Sequence, residues 1–333
     1  MSGGGLHHVT LVSSDAARSC RFYGSVLGLR LVKRTVSHED PGTYHLCFGD
    51  GAGRPGTLLT LFPWQGVARG RRGACEAWRT SLRVPPGALG AWRRRLDAHG
   101  IAHSTRQLRF GETGLLFEDP DGALLALVEG PVVEDPAPGP ALEWHAAGIP
   151  AEAAVQGLHD LVLTVREAAP IGELLCGVLG FAEIAREGCS TRLVGHAGPG
   201  GTITLDQAGP VARGRLGAGS IHHAAFRAPD AAAEDRMAAE LLARYAISAT
   251  VPKDRTYFRS VNFRSTCGLL LEIATDGPGF AIDEPLDRLG EKLALPPFLE
   301  ARRGELEALL PRIASARALA NDPFDRSETD KSA

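Results

Sequence analysis

Two histidine pairs and one isolated acid are the residues best placed to do chemistry. His7-His8 opens the apolar run Val9-Thr10-Leu11, and His222-His223 follows Ile221 at the head of another, Ala224-Ala225-Phe226. Adjacent residues on a strand face opposite ways, so each pair can direct only one imidazole toward a shared ligand. Neutral imidazole is the commonest protein ligand for a metal ion. The acid is Glu272 in Leu269-Leu270-Leu271-Glu272-Ile273-Ala274, where an unpartnered carboxylate would be costly to bury. A metal is the natural partner, and an ion pair with Arg255 or Arg264 is the alternative. A lone half-buried histidine is usually satisfied by a backbone group. Two pairs heading similar strands point instead to at least one metal ligand.

The elements that position these residues lie in a chain of 333 residues, long enough for two domains with their own cores. With 44% hydrophobic and 23% charged residues it reads as a soluble, turn-rich globular protein. A net charge of −3, from 36 basic and 39 acidic residues, supplies no field for nucleic acid or an anionic membrane. A small-molecule ligand is favoured. No apolar run approaches the roughly 20 residues that cross a bilayer, and the start Met-Ser-Gly-Gly-Gly resembles no signal region, so a cytoplasmic location is expected. The six cysteines are scattered, without a Cys-x-x-Cys pair, and read as reduced thiols.

The chain repeats itself. Leu6-His-His-Val-Thr-Leu11 resembles Leu158-His-Asp-Leu-Val-Leu163, and Val26-Leu-Gly-Leu29 resembles Val178-Leu-Gly-Phe181, at one shared offset of 152 residues. In the first unit a strand over 6–12 leads to a helix over 16–26, capped by Ser14-Asp15 and closed by Gly28, and then to strands near 30–36, 43–48 and 57–62. A second unit has strands near 77–84, 110–117 and 123–129 and a helix over about 87–98. Further strands near 158–165 and 219–228 begin two more. The expectation is an α+β fold of four β-α-β-β-β units in two tandem domains, with open, barrel-like mixed sheets. The first pair of units spans 1–140 and the second 150–280. Asp135-Pro-Ala-Pro-Gly-Pro140 is the linker, and 281–333 holds a C-terminal helix and a frayed tail. Leu299, Leu306, Leu309 and Leu310 should form that helix's buried stripe.

Paired β-α-β-β-β units resemble the vicinal-oxygen-chelate superfamily of glyoxalases, ring-cleaving dioxygenases and bleomycin-resistance proteins. In that superfamily the ligands come from the first and last strands of paired units. The first-strand positions here are His8, Arg79, Asp160 and His223. The last-strand positions, four residues after the turn glycines Gly56, Gly122, Gly201 and Gly268, are Thr60, Ala126, Leu205 and Glu272. Pairing the first unit with the fourth unites His8, His223 and Glu272. Pairing the third with the fourth gives Asp160, His223 and Glu272. The first is preferred, because two histidines and a carboxylate form the set that holds non-haem Fe(II) with open positions.

Within that superfamily the chain is similar to the hydroquinone-type ring-cleaving dioxygenases, across most of residues 5–315. The resemblance rests on Leu6-His-His-Val-Thr10, Val26-Leu-Gly-Leu-Arg-Leu-Val-Lys-Arg-Thr35, Pro41-Gly-Thr-Tyr-His45 with Phe48-Gly-Asp50, and Pro55-Gly-Thr57 through Phe62-Pro-Trp64. It continues in Ile221-His-His-Ala224, Arg255-Thr-Tyr-Phe258 and Leu271-Glu-Ile-Ala-Thr-Asp276. It implies a metal held by His8, His223 and Glu272, with Fe(II) the expected ion and Mn(II) its alternative. Supporting or acid–base roles fall on His7, His222, Arg255 and Tyr257. The implied activity is that of an extradiol-type non-haem iron dioxygenase that opens a dihydroxylated, hydroquinone-like ring with O2. The expected partners are a small aromatic substrate and O2, with no nucleic acid and no membrane, and a homodimer is left open. Asn262 stands where the family commonly has Tyr. Facing the pocket, it would replace a phenol by a smaller amide and alter substrate choice. Two rivals share the fold: a glyoxalase-like lyase or isomerase using Zn or Ni, and a metal-free binding protein of the resistance class. The first would usually want a fourth ligand where Thr60 stands.

Overall fold

The computed structural model describes residues 4–131, 144 and 146–322. The proposed linker Asp135–Pro140 lies outside them, as does the tail beyond Asp322. Four units follow one another. The first contains β1 (Leu6–Ser13), α1 (Ala16–Cys20), β2 (Arg30–Val36), β3 (Tyr44–Gly49) and β4 (Leu58–Pro63). The second contains β5 (Glu76–Val84), α2 (Leu89–Ala98), β6 (His103–Gln107), β7 (Thr113–Glu118) and β8 (Leu124–Glu129). The third contains β9 (Gly157–Val165), α3 (Ala168–Gly177), β10 (Ala182–Glu187), β11 (Ser190–Val194) and β12 (Thr202–Gln207). The fourth contains β13 (Ile221–Ala228), α4 (Ala231–Tyr245), β14 (Lys253–Asp254), β15 (Phe258–Arg264) and β16 (Leu270–Pro278). Asp15 caps α1 by accepting from the Arg18 N–H, and Asp230 caps α4 through Ala233.

Two eight-stranded mixed sheets result. One runs β14-β15-β16-β13-β1-β4-β3-β2 and the other β10-β11-β12-β9-β5-β8-β7-β6. The first unit is therefore joined to the fourth, through the antiparallel pair β1 and β13, and the second to the third through β5 and β9. Each sheet draws one unit from each half of the sequence. β1 is buried along all eight residues, which is why it reads as a nearly continuous apolar run rather than an alternating one.

In every unit a glycine at positive φ sits two residues before the last strand: Gly56, Gly122, Gly200 and Gly268. The third corrects the sequence reading, which placed that turn at Gly201. The last-strand position is therefore Thr204 rather than Leu205. Thr204 pairs with Val162 as Thr60 pairs with Thr10, and these partners are related by the 152-residue repeat. In a Gly-Gly pair no side chain marks which residue takes the left-handed conformation.

The C-terminal stretch starts with a 3-10 segment, Pro297–Arg302, and continues as α5 (Arg303–Leu309). Leu299, Leu306 and Leu310 are buried, whereas Leu309 is 60% exposed. The expected four-leucine stripe is thus one residue too wide. The 3-10 turn and the extended Leu310 break the 3.6-residue phase on which it was drawn. Among the described residues no helix is long and apolar enough to cross a membrane.

Candidate metal centre

His8 comes from β1, His223 from β13 and Glu272 from β16, three adjacent strands in the order β16-β13-β1. Their side chains converge. His8 Nε2 lies 3.2 Å from His223 Nε2, and His223 Nε2 lies 3.3 Å from Glu272 Oε2. The three donor atoms lie within 4.8 Å of one another, and no other group of His, Cys, Asp and Glu converges this way among the described residues. Metal–ligand bonds of about 2.1 Å would place neighbouring ligands roughly 3 Å apart, close to these separations.

The electrostatics fit a cation. All three groups are buried, and burial pushes both imidazoles well below their usual range, aided at His8 by His7 and at His223 by His222. They are neutral, with lone pairs available. Burial also raises the Glu272 carboxyl to about 7 against the pull of Arg255, and its Oε1 is buried without a hydrogen-bond partner. An orphaned carboxylate oxygen beside two crowded imidazole nitrogens is the arrangement a divalent ion would complete.

The neighbouring histidines stand behind the ligands. His7 Nδ1 is 3.0 Å from His8 Nδ1, and His222 Nδ1 is 2.8 Å from His223 Nδ1. With both Nε2 atoms coordinating a metal, each ligand's Nδ1–H would donate to its neighbour, which would fix tautomer and ring angle. The Thr10 hydroxyl lies 3.0 Å from His223 Nε2 and 2.7 Å from Thr60 Oγ1, so Thr60 is engaged with Thr10. The open side of the triad borders a cavity walled by Phe62, Phe258 and Phe280.

Residues 5–127 match the family described as the Glyoxalase/Bleomycin resistance protein/Dioxygenase superfamily. MhqE of Bacillus subtilis (strain 168), a candidate ring-cleaving dioxygenase, is 40% identical over 309 residues, covering 93% of this chain and 99% of MhqE. The chain belongs to this superfamily. Another member is the chlorohydroquinone/hydroquinone 1,2-dioxygenase of Sphingobium indicum. It is 30% identical over 307 residues, covering 91% of this chain and 94% of that protein. The crystal structure of a candidate dioxygenase from Bacillus subtilis superposes with a TM-score of 0.87 at 36% identity, over 93% of this chain and 97% of that one. Glyoxalase I of Zea mays, at 12% identity and TM-score 0.61 over 82% of this chain and 92% of its own, shares the superfamily fold.

The remaining sequence-predicted residues divide by position. Arg255 and Tyr257 border the same cavity as the triad. Arg255 Nη1 donates to Glu39 Oε1 at 2.6 Å, so its ion pair is with Glu39. The Tyr257 hydroxyl donates to Asp283 at 2.7 Å, and burial raises its pKa far above the phenol range. His7 and His222 do not border the cavity. His7 packs on Phe258, and His222 lies edge-on to Phe62 and Trp64. Asn262 is half-buried on β15 directly opposite Glu272, and it is not among the residues that border the cavity. Sequence reasoning gave no role to His45, His38 or Thr35, which do border it. The available signal was alternation along β2 and β3, which puts Thr35 with Ser37 and His45 with Cys47 on one face.

Proposed function

We propose that the protein is a ring-cleaving dioxygenase that opens a para-dihydroxylated aromatic ring with O2 at an Fe(II) ion held by His8, His223 and Glu272, with Mn(II) the alternative ion. One observation carries the reading: the open side of a two-histidine, one-carboxylate set faces a cavity walled by three phenylalanines. The hydroquinone named for the Sphingobium indicum relative supports the substrate class. When bound, the ion would supply Lewis acidity toward a phenolic oxygen and positions for substrate and O2.

The chain's own residues have distinct tasks in this proposal. His7 and His222 hold the ligand imidazoles in orientation. Phe62, Phe258 and Phe280 sandwich the ring and keep water out. Arg255, held by Glu39, steadies negative charge on the ring oxygens, and a guanidinium cannot act as a base. For a para-dihydroxylated ring the bond to be broken joins a hydroxyl-bearing carbon to its unsubstituted or halogenated neighbour, a 1,2 cleavage distinct from the extradiol opening of a catechol.

The lyase reading is weaker, because Thr60, at the fourth-ligand position, is hydrogen-bonded to Thr10. Metal analysis and oxygen uptake by anaerobically reconstituted protein on hydroquinones and catechols, with labelled O2 traced into product, test the proposal. Incorporation of label into a ring-opened hydroquinone is expected. No labelled product across the panel, alongside turnover of a hemithioacetal, would replace it with the lyase.

A further inference from the structure

The cavity that the triad borders also has polar lining that the metal chemistry leaves unused. Thr35 on β2 and His45 on β3 are direct cross-strand partners, and both border the cavity. Directly opposed residues of an antiparallel pair share a face. The Thr35 hydroxyl is buried without a hydrogen-bond partner, as is Nε2 of His45. His38, just beyond β2, also borders the cavity and likewise has a buried, unpartnered Nε2. Three unsatisfied polar atoms against one cavity are unusual, since buried polar groups are nearly always paired.

The other polar groups there are already engaged. Arg255 is paired with Glu39, the Tyr257 hydroxyl donates to Asp283, and the Ser37 hydroxyl accepts from the Asp40 N–H. The imidazole of His45 is neutral, because burial pushes it down to about 3. The wall therefore offers one hydroxyl and two neutral imidazoles, groups that suit a neutral hydroxyl on a ligand better than an anion.

The sheet order sets the reach. β4 separates β1, which carries His8, from β3, which carries His45, so two strand spacings, or about 10 Å of curled sheet, lie between them. A ring anchored by one oxygen at the triad presents its far side to this wall. A second hydroxyl next to the first would stay beside the triad, whereas one across the ring would face Thr35 and His45.

Resting on the dioxygenase reading for its substrate class, we infer that Thr35 and His45, with His38 beside them, form a recognition subsite for the distal hydroxyl of a para-dihydroxylated ring. They are what selects hydroquinones over catechols.

The test is anaerobic calorimetric binding of hydroquinone, 4-methoxyphenol and catechol to metal-loaded wild type, Thr35→Val, His45→Phe and His45→Gln, with metal content measured on each. Thr35→Val keeps shape and should fold in any case. Losing one hydrogen bond should weaken hydroquinone binding by about 10-fold in Thr35→Val and His45→Phe. Catechol affinity should change less than about 2-fold, metal content should hold, and His45→Gln should recover part of the loss. Equal losses for all three ligands, or no loss for hydroquinone, would overturn the subsite. Oxygen uptake separates the two claims. Selective loss of hydroquinone binding in a protein that consumes no O2 upholds the subsite and rejects ring cleavage, while O2-consuming protein with unchanged selectivity does the reverse.

Discussion

Arg79 Nη2 stands 3.5 Å from Asp160 Oδ2 in the second sheet, at the strand positions that His223 and His8 occupy in the first. Asp160 also accepts from the Thr204 hydroxyl at 3.1 Å, and Arg192 approaches it at 3.8 Å. Ala126 fills the place of Glu272. Here a guanidinium balances a buried carboxylate where the first sheet gathers three metal-type donors. Among the described residues the duplicated scaffold has one convergent donor set, and the equivalent place in the second sheet holds an ion-paired carboxylate.

That relationship predicts one metal ion per chain, measurable by elemental analysis after reconstitution. Arg79→Met should leave the stoichiometry near one while lowering stability by up to about 3 kcal/mol, because a buried acid loses a partner and only Arg192 and Thr204 remain. Denaturant unfolding reads the second effect. A stoichiometry of two in wild type, or loss of metal in Arg79→Met, would contradict the assignment.

Removing a ligand should differ sharply from removing its support. His223→Ala and Glu272→Gln are expected to abolish metal retention and turnover while keeping the circular dichroism of the folded protein. His7→Ala should weaken metal affinity by only about 10- to 100-fold, the usual cost of losing a group that orients a ligand. Competition with a chromophoric chelator measures all three. Greater metal loss in His7→Ala than in His8→Ala would exchange their roles.

Acid should expose His7. Burial pushes its pKa down to about 4 from an unfolded value near 6.5, so the fold holds it neutral. Its contribution is fully present above pH 6.5 and is lost as pH falls from 6.5 toward 4, because the unfolded chain takes up the proton first. In metal-free protein, the melting temperature of His7→Gln relative to wild type should therefore rise as pH falls through that window. A constant difference from pH 7 to pH 4.5 would show that His7 titrates normally.

Lys33 should hold the cavity's C-terminal wall. Its side chain is completely buried, its ammonium lies 2.6 Å from Asp283 Oδ1 and also contacts Glu284, and it sits 4.7 Å above the Tyr257 ring. Both acids follow Phe280, which walls the cavity. Lys33→Met nearly preserves volume but deletes the cation, so Asp283 and Glu284 should turn toward water. Hydrogen exchange over residues 280–290 should quicken several-fold, with exchange in β1 and β13 unchanged. Unaltered exchange over that segment would show that packing alone holds it.

The sequence by itself determined the units and the types of residue in the centre. The 152-residue offset, the His-His pairs and the acid inside an apolar run all follow from local pattern, because strand alternation and the cost of burying charge act over a few residues. Tertiary structure decided which units meet. Nothing local distinguishes joining the first unit to the fourth from joining the third to the fourth, since β1 and β13 are more than 200 residues apart and pair only when the sheet closes. It also decided that Gly200 rather than Gly201 makes the turn, that Leu309 faces solvent and that Asn262 stands directly opposite Glu272. The wall of Thr35, His38 and His45 was equally invisible in one dimension. Each is an ordinary polar residue until the curled sheet sets it at the same cavity as His8, His223 and Glu272, where its lack of a partner acquires meaning.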